Sequence, residues 1–306
     1  MLKIREHVPL SELTTFKIGG SSRYFVEVRT EGEVSEAVQW AKQKQIKFVI
    51  LAGGSNVLIP DDGLRALVIH LAEGNFSFAG ERLSIDAGCN LFEMIRAAAK
   101  HGWGGWEKLS GIPGTVGGAV RGNAGAFGSE IKDFVTEVRA LNSETSEIKE
   151  FGNSSCDFSY RHSFFKDYPE WLITGVTVRL TPVMAEESSK LMNETIIERQ
   201  KRHIQNIQAA GSFFLNPRVP QNIVAMFEKE KKVKSRDSRV PAGWLIEKAG
   251  LKGRRVADAA ASVGHPNYII NLGAATAKDV LELSEQIKKS VEQRFGISLT
   301  EEVAIL

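Results

Sequence analysis

Cysteine is nearly absent: only Cys89 and Cys156 stand among 306 residues. They form no C-x-x-C pair and no metal-ligand spacing, so two idle thiols in a reducing compartment fit better than a structural disulfide. Histidine is sparse as well, and neither His162 nor His203 has an H-x-x-x-H partner, which disfavours zinc. No uncharged apolar run nears the roughly 20 residues that span a bilayer. The opening residues, Met-Leu-Lys-Ile-Arg-Glu-His, carry charge where a secretion signal needs an apolar core, so a cytoplasmic protein is expected. Neither sign of charge dominates, with 39 Lys plus Arg against 37 Asp plus Glu. That balance argues against a nucleic-acid or polybasic membrane binder, yet leaves room for a local basic pocket. Two phosphate motifs are missing too, the Rossmann G-x-G-x-x-G turn and G-x-x-x-x-G-K-[ST]; a nucleotide-triphosphate motor and an ordinary nicotinamide dehydrogenase are disfavoured.

What is present reads as a globular chain long enough for two or three domains. Phe25-Val-Glu-Val28 alternates as a half-buried strand, and residues 33–44 put Val34, Ala37, Val38 and Ala41 on one helical face. The apolar run 47–51 stops at Gly53-Gly-Ser-Asn56, and a strand at 57–59 follows, which makes a small α/β unit ending near His70. From 71 to 182, short strands (83–85, 135–141, 147–151, 171–180) surround one helix at 91–101 that buries Leu91, Met94, Ile95, Ala98 and Ala99. A polar helix at 186–205 links the lobes. Near the end, Thr276 and Asp279 make a capping box before the apolar face Val280, Leu283, Ile287 and Val291; Gly296 stops that helix, and a strand is expected over 299–306.

Two glycine-rich stretches could carry chemistry. Ala52, Gly53, Gly54, Ser55 and Asn56 follow a strand; glycines there let backbone N–H groups approach a phosphate, though a tight turn suits the same residues. Residues 110–125 hold so many glycines that their chain entropy needs an offset, which close approach of a long cofactor would provide. Ile112, Pro113 and Val116 read there as packed, not loose. Three polar residues stand in apolar surroundings: Arg161 in Phe158-Ser-Tyr-Arg-His-Ser-Phe-Phe165, Ser212 in Gly211-Ser-Phe-Phe-Leu-Asn-Pro217, and Glu302 near the C-terminus. A structural Arg–Glu pair accounts for two of them as well as catalysis does.

The ordered set is more specific than any member. Thr14-Thr-Phe-Lys-Ile-Gly-Gly20, Ala52-Gly-Gly-Ser-Asn-Val-Leu58, Gly111-Ile-Pro-Gly-Thr-Val-Gly-Gly118, Asn123-Ala-Gly125, Tyr160-Arg161, Gly211-Ser-Phe-Phe214, Pro241-Ala-Gly-Trp-Leu-Ile-Glu247, the stretch 265–271 and Glu302-Val303 follow one another. From Thr14 onward the chain resembles the UDP-N-acetylenolpyruvoylglucosamine reductase (MurB) family in its shorter, type II form. The resemblance implies an α+β fold. An FAD-binding fold of the vanillyl-alcohol oxidase (PCMH) type would occupy two lobes (1–70 and 71–185), with an α+β substrate-binding domain after a linker helix (186–306). It implies catalytic roles for Arg161, Ser212 and Glu302, and FAD contacts from Ala52, Gly53, Gly54, Ser55 and Asn56. Gly111, Ile112, Pro113, Gly114, Thr115, Gly117 and Gly118 would complete the FAD site, while Asn123, Tyr160 and Asn216 would touch substrate. Glu302 is chosen over Glu301 because Val303 follows it. Two departures stand out: residues 205–211 lack the usual prolines, and Ala304 replaces an arginine common after the Glu-Val pair.

The implied reaction moves a hydride from NADPH through non-covalent FAD to the enolpyruvyl ether of UDP-N-acetylglucosamine-enolpyruvate. The product would be UDP-N-acetylmuramate, for peptidoglycan synthesis. With no Rossmann turn, NADPH and the UDP-sugar are expected to use one pocket in turn, on a monomer. Two rivals remain: a flavin enzyme of the same fold oxidising a small alcohol or hydroxy acid, and a non-catalytic flavin or nucleotide sensor. The first needs the FAD loops but not Arg161, Ser212 and Glu302 together; the second would have no turnover to lose.

Overall fold

The structure is a computed structural model that describes residues 2–201 and 207–306. The described residues fall into two compact units, the first built from residues 2–8, 22–53 and 64–201, the second from residues 9–21, 54–63 and 207–306. Residues 9–21 and 54–63 thus belong with the C-terminal part, although sequence order sets them in the first lobe.

In the first unit, a four-stranded sheet orders Arg5–Pro9, Ser21–Val28, Leu64–Leu71 and Phe48–Leu51. Ser21–Val28 and Phe48–Leu51 both run parallel to Leu64–Leu71. That central strand buries Ala66, Leu67, Val68 and Ile69 in succession, as a parallel strand covered on both faces does. The sequence pattern, which ends the α/β unit near His70, has no alternation here to mark a strand. The helix Glu31–Gln43 buries Val34, Ala37, Val38 and Ala41 as expected. Its first turn closes with a capping box: Thr30 Oγ1 accepts from the Glu33 N–H at 3.2 Å, while the Glu33 carboxylate accepts from the N–H groups of Arg29 and Thr30. Those donors, Arg29 first, hold the Glu33 carboxyl below its ordinary range.

The rest of this unit is a five-stranded antiparallel sheet, ordered Ile148–Gly152, Val135–Asn142, Trp171–Arg179, Arg82–Asp86 and Phe76–Ala79. The helix Leu91–Lys100 packs its expected apolar face into the same core. Cys89 and Cys156 are buried free thiols, so no disulfide forms, and burial pushes the Cys156 thiol up to about 12.

The helix Ala185–Lys201 joins the first unit instead of opening the C-terminal part. Its buried face is largely polar (Ser188, Met192, Thr195, Arg199), which hid the docking from an apolar-stripe reading. Ser188 Oγ donates at 2.7 Å to Glu107, a carboxylate only 2% exposed that also accepts the Gly105 N–H. The last expected residues of this helix, 202–205, and His203 lie outside the described residues.

The second unit packs the helices Gln221–Lys231, Ala242–Lys248 and Ala277–Phe295 with a three-stranded antiparallel sheet, Arg255–Val256, Ala259–Ala261 and Ile269–Asn271. Phe16, Phe213, Phe214, Leu245, Val280, Leu283, Ile287 and Val291 lie in its core. The capping box of the last helix forms as read: Thr276 Oγ1 accepts from the Asp279 N–H and Asp279 from the Thr276 N–H. Asp61 adds to it, accepting from the N–H groups of Ala277 and Lys278 at 2.8 and 3.2 Å. Gly296, at φ +66°, ends the helix. The C-terminal strand is shorter than expected. Only Ala304–Ile305 pairs regularly, parallel to Val57–Leu58, while Glu301 bridges to Phe214. The segment changes neighbours midway, since the Glu302 N–H goes to Phe213 and the Ala304 N–H to Asn56.

Candidate active site

Gly53 and Gly114, one from each glycine stretch, meet inside the first unit. Gly53 touches Gly114 so closely that a Cβ on Gly53 would lie 2.6 Å from the Gly114 Cα. Gly114 itself has φ +112° and Gly111 φ +76°, conformations that favour glycine. Beyond them the chain is not an open loop. Thr115 caps a short helix, Val116–Arg121, its Oγ1 accepting from the Gly118 N–H at 3.3 Å. Gly117 packs on Ala87, where a Cβ would sit 2.7 Å from the alanine methyl. Val116 is buried and Ile112 half-buried, in line with a packed stretch, but Pro113 is exposed. Beside Gly111 the Ser110 hydroxyl is fully buried and has no partner among the described residues. An orphaned hydroxyl next to bare backbone is what a polar ligand would satisfy.

We expect Gly53→Ala to lower the thermal midpoint by roughly 4–8 °C, since backbone, not a flexible side chain, opposes the added methyl at an overpacking cost of about 2 kcal/mol. Gly152→Ala, with nothing within 4 Å of the added carbon, is the control and is expected to melt as the parent does. Equal midpoints for the two variants would show that the loops can part without loss.

Arg161 stands at the tip of a tight turn in the same unit. Ser159 and His162 exchange both backbone hydrogen bonds, at 3.1 and 3.2 Å, leaving Tyr160 and Arg161 as the central pair. Arg161 has φ +57°, a conformation costly for a residue with a Cβ by about 1–2 kcal/mol. The strain is held by its surroundings. Arg161 Nη2 donates to the Gly125 carbonyl at 2.8 Å, Nη1 reaches the Asn123 carbonyl at 3.5 Å, and Lys166 Nζ donates to the Arg161 carbonyl at 2.8 Å. The guanidinium also lies 5.7 Å from the centre of the half-buried Tyr160 ring. Asn123 is 0% exposed, so its side chain faces the protein interior.

Ser212 and Glu302 belong to the second unit, on adjoining segments. The Glu302 N–H donates to the carbonyl of Phe213, next to the serine, at 2.8 Å, and the Leu215 N–H donates to Thr300 at 2.9 Å. Asn267 grips the serine segment from another side: its Oδ1 accepts from the Phe214 N–H at 3.0 Å, its Nδ2 donates to the Phe214 carbonyl at 2.8 Å, and its own carbonyl accepts from the Phe213 N–H. Within the stretch 265–271 the sequence marks out no role for Asn267, because a buried asparagine two residues past a histidine carries no distinguishing signal.

Glu301 and Glu302 have different neighbours. Glu301 accepts from Lys288 Nζ at 3.0 Å and Ser284 Oγ at 3.4 Å, both on the last helix. Asn56, at the end of the first glycine stretch, donates from Nδ2 to the Glu302 carbonyl at 3.2 Å and accepts the Ala304 N–H. Gly54, at φ +56°, lies against Leu13, and its carbonyl accepts the Thr15 N–H at 3.1 Å. Asn216, expected to touch substrate, uses Oδ1 to accept the Ala242 N–H at the start of Ala242–Lys248, while its carbonyl accepts from Arg239 Nη1. Among the described residues no group of three or more His, Cys, Asp or Glu could hold a metal ion, and no helix is long and apolar enough to cross a membrane.

A family model described as the C-terminal domain of UDP-N-acetylenolpyruvoylglucosamine reductase matches residues 202–306, and one described as an FAD binding domain matches residues 22–152. The chain is 36% identical over 309 residues to the UDP-N-acetylenolpyruvoylglucosamine reductase of Synechococcus sp. (strain JA-3-3Ab), covering 99% of this chain and 91% of the relative. It is 37% identical to the enzyme of that name from Caldicellulosiruptor saccharolyticus, covering 97% and 90%. The crystal structure of UDP-N-acetylenolpyruvylglucosamine reductase (MurB) from Thermus caldophilus matches it with a TM-score of 0.78 at 31% identity, over 100% of this chain and 99% of that one.

Proposed function

The chain belongs to the UDP-N-acetylenolpyruvoylglucosamine reductase family, and from that premise we propose that it reduces UDP-N-acetylglucosamine-enolpyruvate to UDP-N-acetylmuramate, a cytoplasmic step in peptidoglycan precursor synthesis. The residues present fit FAD: the Gly53–Gly114 contact keeps backbone free of side chains, and the orphaned Ser110 hydroxyl offers a buried donor beside it. Ala52, Gly53, Gly54, Ser55 and Asn56, with Gly111, Ile112, Pro113, Gly114, Thr115, Gly117 and Gly118, would hold it. Bound FAD supplies hydride transfer, taking its electrons from NADPH.

The chain's own groups handle the charge and the proton. Hydride addition at the terminal carbon of the enolpyruvyl ether pushes electrons into the attached carboxylate. A guanidinium beside that carboxylate stabilises the dianionic product of this addition more than the substrate, which is the differential binding that lowers a barrier; this is the role of Arg161. Glu302 helps only when it carries a proton, because a carboxylate there would repel the growing charge. The second carbon is then a strong base, and a serine hydroxyl, a weak acid towards ordinary bases, suffices to protonate it; Ser212 is that donor.

The observation that carries this reading is the pairing of the Ser212 segment with the Glu302 segment, pinned by Asn267. A flavin oxidase of a small alcohol would have no use for a proton donor in that place. The test is spectroscopic: purified protein should be yellow, bleach with NADPH under anaerobic conditions, and regain colour on adding the enolpyruvyl sugar nucleotide. Reduced flavin that the enolpyruvyl compound leaves bleached would refute it. Initial-velocity plots should give the parallel lines of alternating occupancy of one pocket.

A further inference from the structure

Asn123, expected from the resemblance to touch substrate, is buried, and its bonds lead to the turn that carries Arg161. Its side chain is fully buried, with Nδ2 donating at 2.7 Å to the Ser159 carbonyl and at 3.0 Å to Glu130 Oε2. On the other side, Oδ1 accepts the Lys132 N–H at 3.4 Å. Two acceptors on one flank and a backbone donor on the other fix the orientation of the amide. Glu130 is held in turn by Lys132 Nζ at 2.6 Å. Ser159 is the first residue of the Arg161 turn, and the Asn123 backbone carbonyl, like that of Gly125, receives the guanidinium. One residue thereby grips both the base of the turn and the head of the arginine. It does so from φ +41°, a left-handed conformation that asparagine tolerates better than most side chains.

We propose that Asn123 is the positioning residue for Arg161: its amide, oriented by Glu130, sets the height and direction of the strained turn so that the guanidinium is aimed before substrate arrives. The inference rests on the reading of Arg161 given above and assigns Asn123 no contact with substrate. Pre-aiming matters here because Arg161 sits in a conformation its own backbone disfavours, and an unbraced turn would relax away from it.

Asn123→Gly tests this, because glycine accepts the positive φ and only the amide is lost. Asn123→Asp is the second variant: it keeps size and φ tolerance but cannot donate to Ser159. For both, we expect the rate at which the enolpyruvyl sugar nucleotide reoxidises NADPH-reduced flavin in a single turnover to fall by about 30- to 100-fold, the effect of a displacement near 1 Å. KM for that substrate should stay within about twofold, and FAD content and the rate of flavin reduction by NADPH should match the parent; a positioning role separates these readouts. In an Arg161→Gly background, adding Asn123→Gly should cause no further loss, because both changes remove the same aimed charge. A raised KM at preserved single-turnover rate would overturn the proposal in favour of a substrate contact. Equal loss in both half-reactions would reduce Asn123 to a structural residue, and a fully additive double variant would sever it from Arg161. The two readings fail separately. If Arg161→Gly keeps its turnover, the role of Arg161 itself is wrong. If that variant is inactive and the Asn123 effect is additive, only the positioning role falls.

Discussion

Ser212→Ala is expected to reduce its flavin with NADPH at the parent rate and to turn over the enolpyruvyl substrate more slowly by on the order of 10³-fold, the middle of the range for losing a positioned proton donor. The two half-reactions make different demands on the chain. Accepting a hydride from NADPH asks for a bound cofactor and a pocket, neither of which needs the serine hydroxyl. Completing the second half-reaction asks for a proton at carbon, and no other hydroxyl is held on the segment that Glu302 and Asn267 bracket. The substitution should also be structurally mild. Bonds that fix the segment run from the backbone of Phe213, Phe214 and Leu215, not from the serine side chain. Anaerobic stopped-flow absorbance of each half-reaction, with a thermal melt alongside, decides the matter. Parallel slowing of both halves would mean a distorted fold, and unchanged reoxidation would mean that the proton comes from another group.

Much of the fold was legible where one short-range rule acted alone. The last helix carries an apolar stripe and a capping box that both form as expected, and the helix Glu31–Gln43 forms on its apolar stripe, with a Thr30–Glu33 capping box that the stripe does not announce. The strand Leu64–Leu71 is not legible in sequence because four successive buried residues give no alternation, and its identity depends on strands and a helix elsewhere in the chain. The helix Val116–Arg121 was hidden by its two glycines, which weaken helix propensity; packing of Gly117 on Ala87 compensates. Likewise, the helix Ala185–Lys201 docks through a buried Ser188–Glu107 bond that no hydrophobic pattern announces.

The site was legible in a different way. Arg161, Ser212 and Glu302 stand out as polar residues in apolar surroundings, but only the ordered set of motifs gives them a catalytic role, since each residue alone suits a structural role equally well. What the motifs could not convey is geometry: that Gly53 meets Gly114, that Glu301 is committed to Lys288, and that Asn123 faces inward. Backbone strain is equally silent in sequence. Nothing in Tyr160-Arg161-His162 says that the arginine takes a positive φ, because arginine in such a conformation is disfavoured and only tertiary bonds hold it there.

That strain leads to the second large effect. Arg161→Gly should melt within a few degrees of the parent yet lose on the order of 10³-fold in substrate-driven flavin reoxidation, comparable to removing a fixed donor from a developing anion. Glycine relieves the cost of φ +57°, worth about 1–2 kcal/mol. Against that stand the lost bond to the Gly125 carbonyl and the greater freedom of glycine in the unfolded chain, together of similar size. The opposed contributions leave stability nearly level while the charge disappears. Arg161→Lys sharpens the test, because it keeps a cation but retains the strain and loses the planar fork that two carbonyls can hold at once. Its reoxidation rate should lie between those of the glycine variant and the parent. A glycine variant with turnover within tenfold of the parent would show that the strained turn serves some purpose other than presenting a guanidinium to the substrate carboxylate.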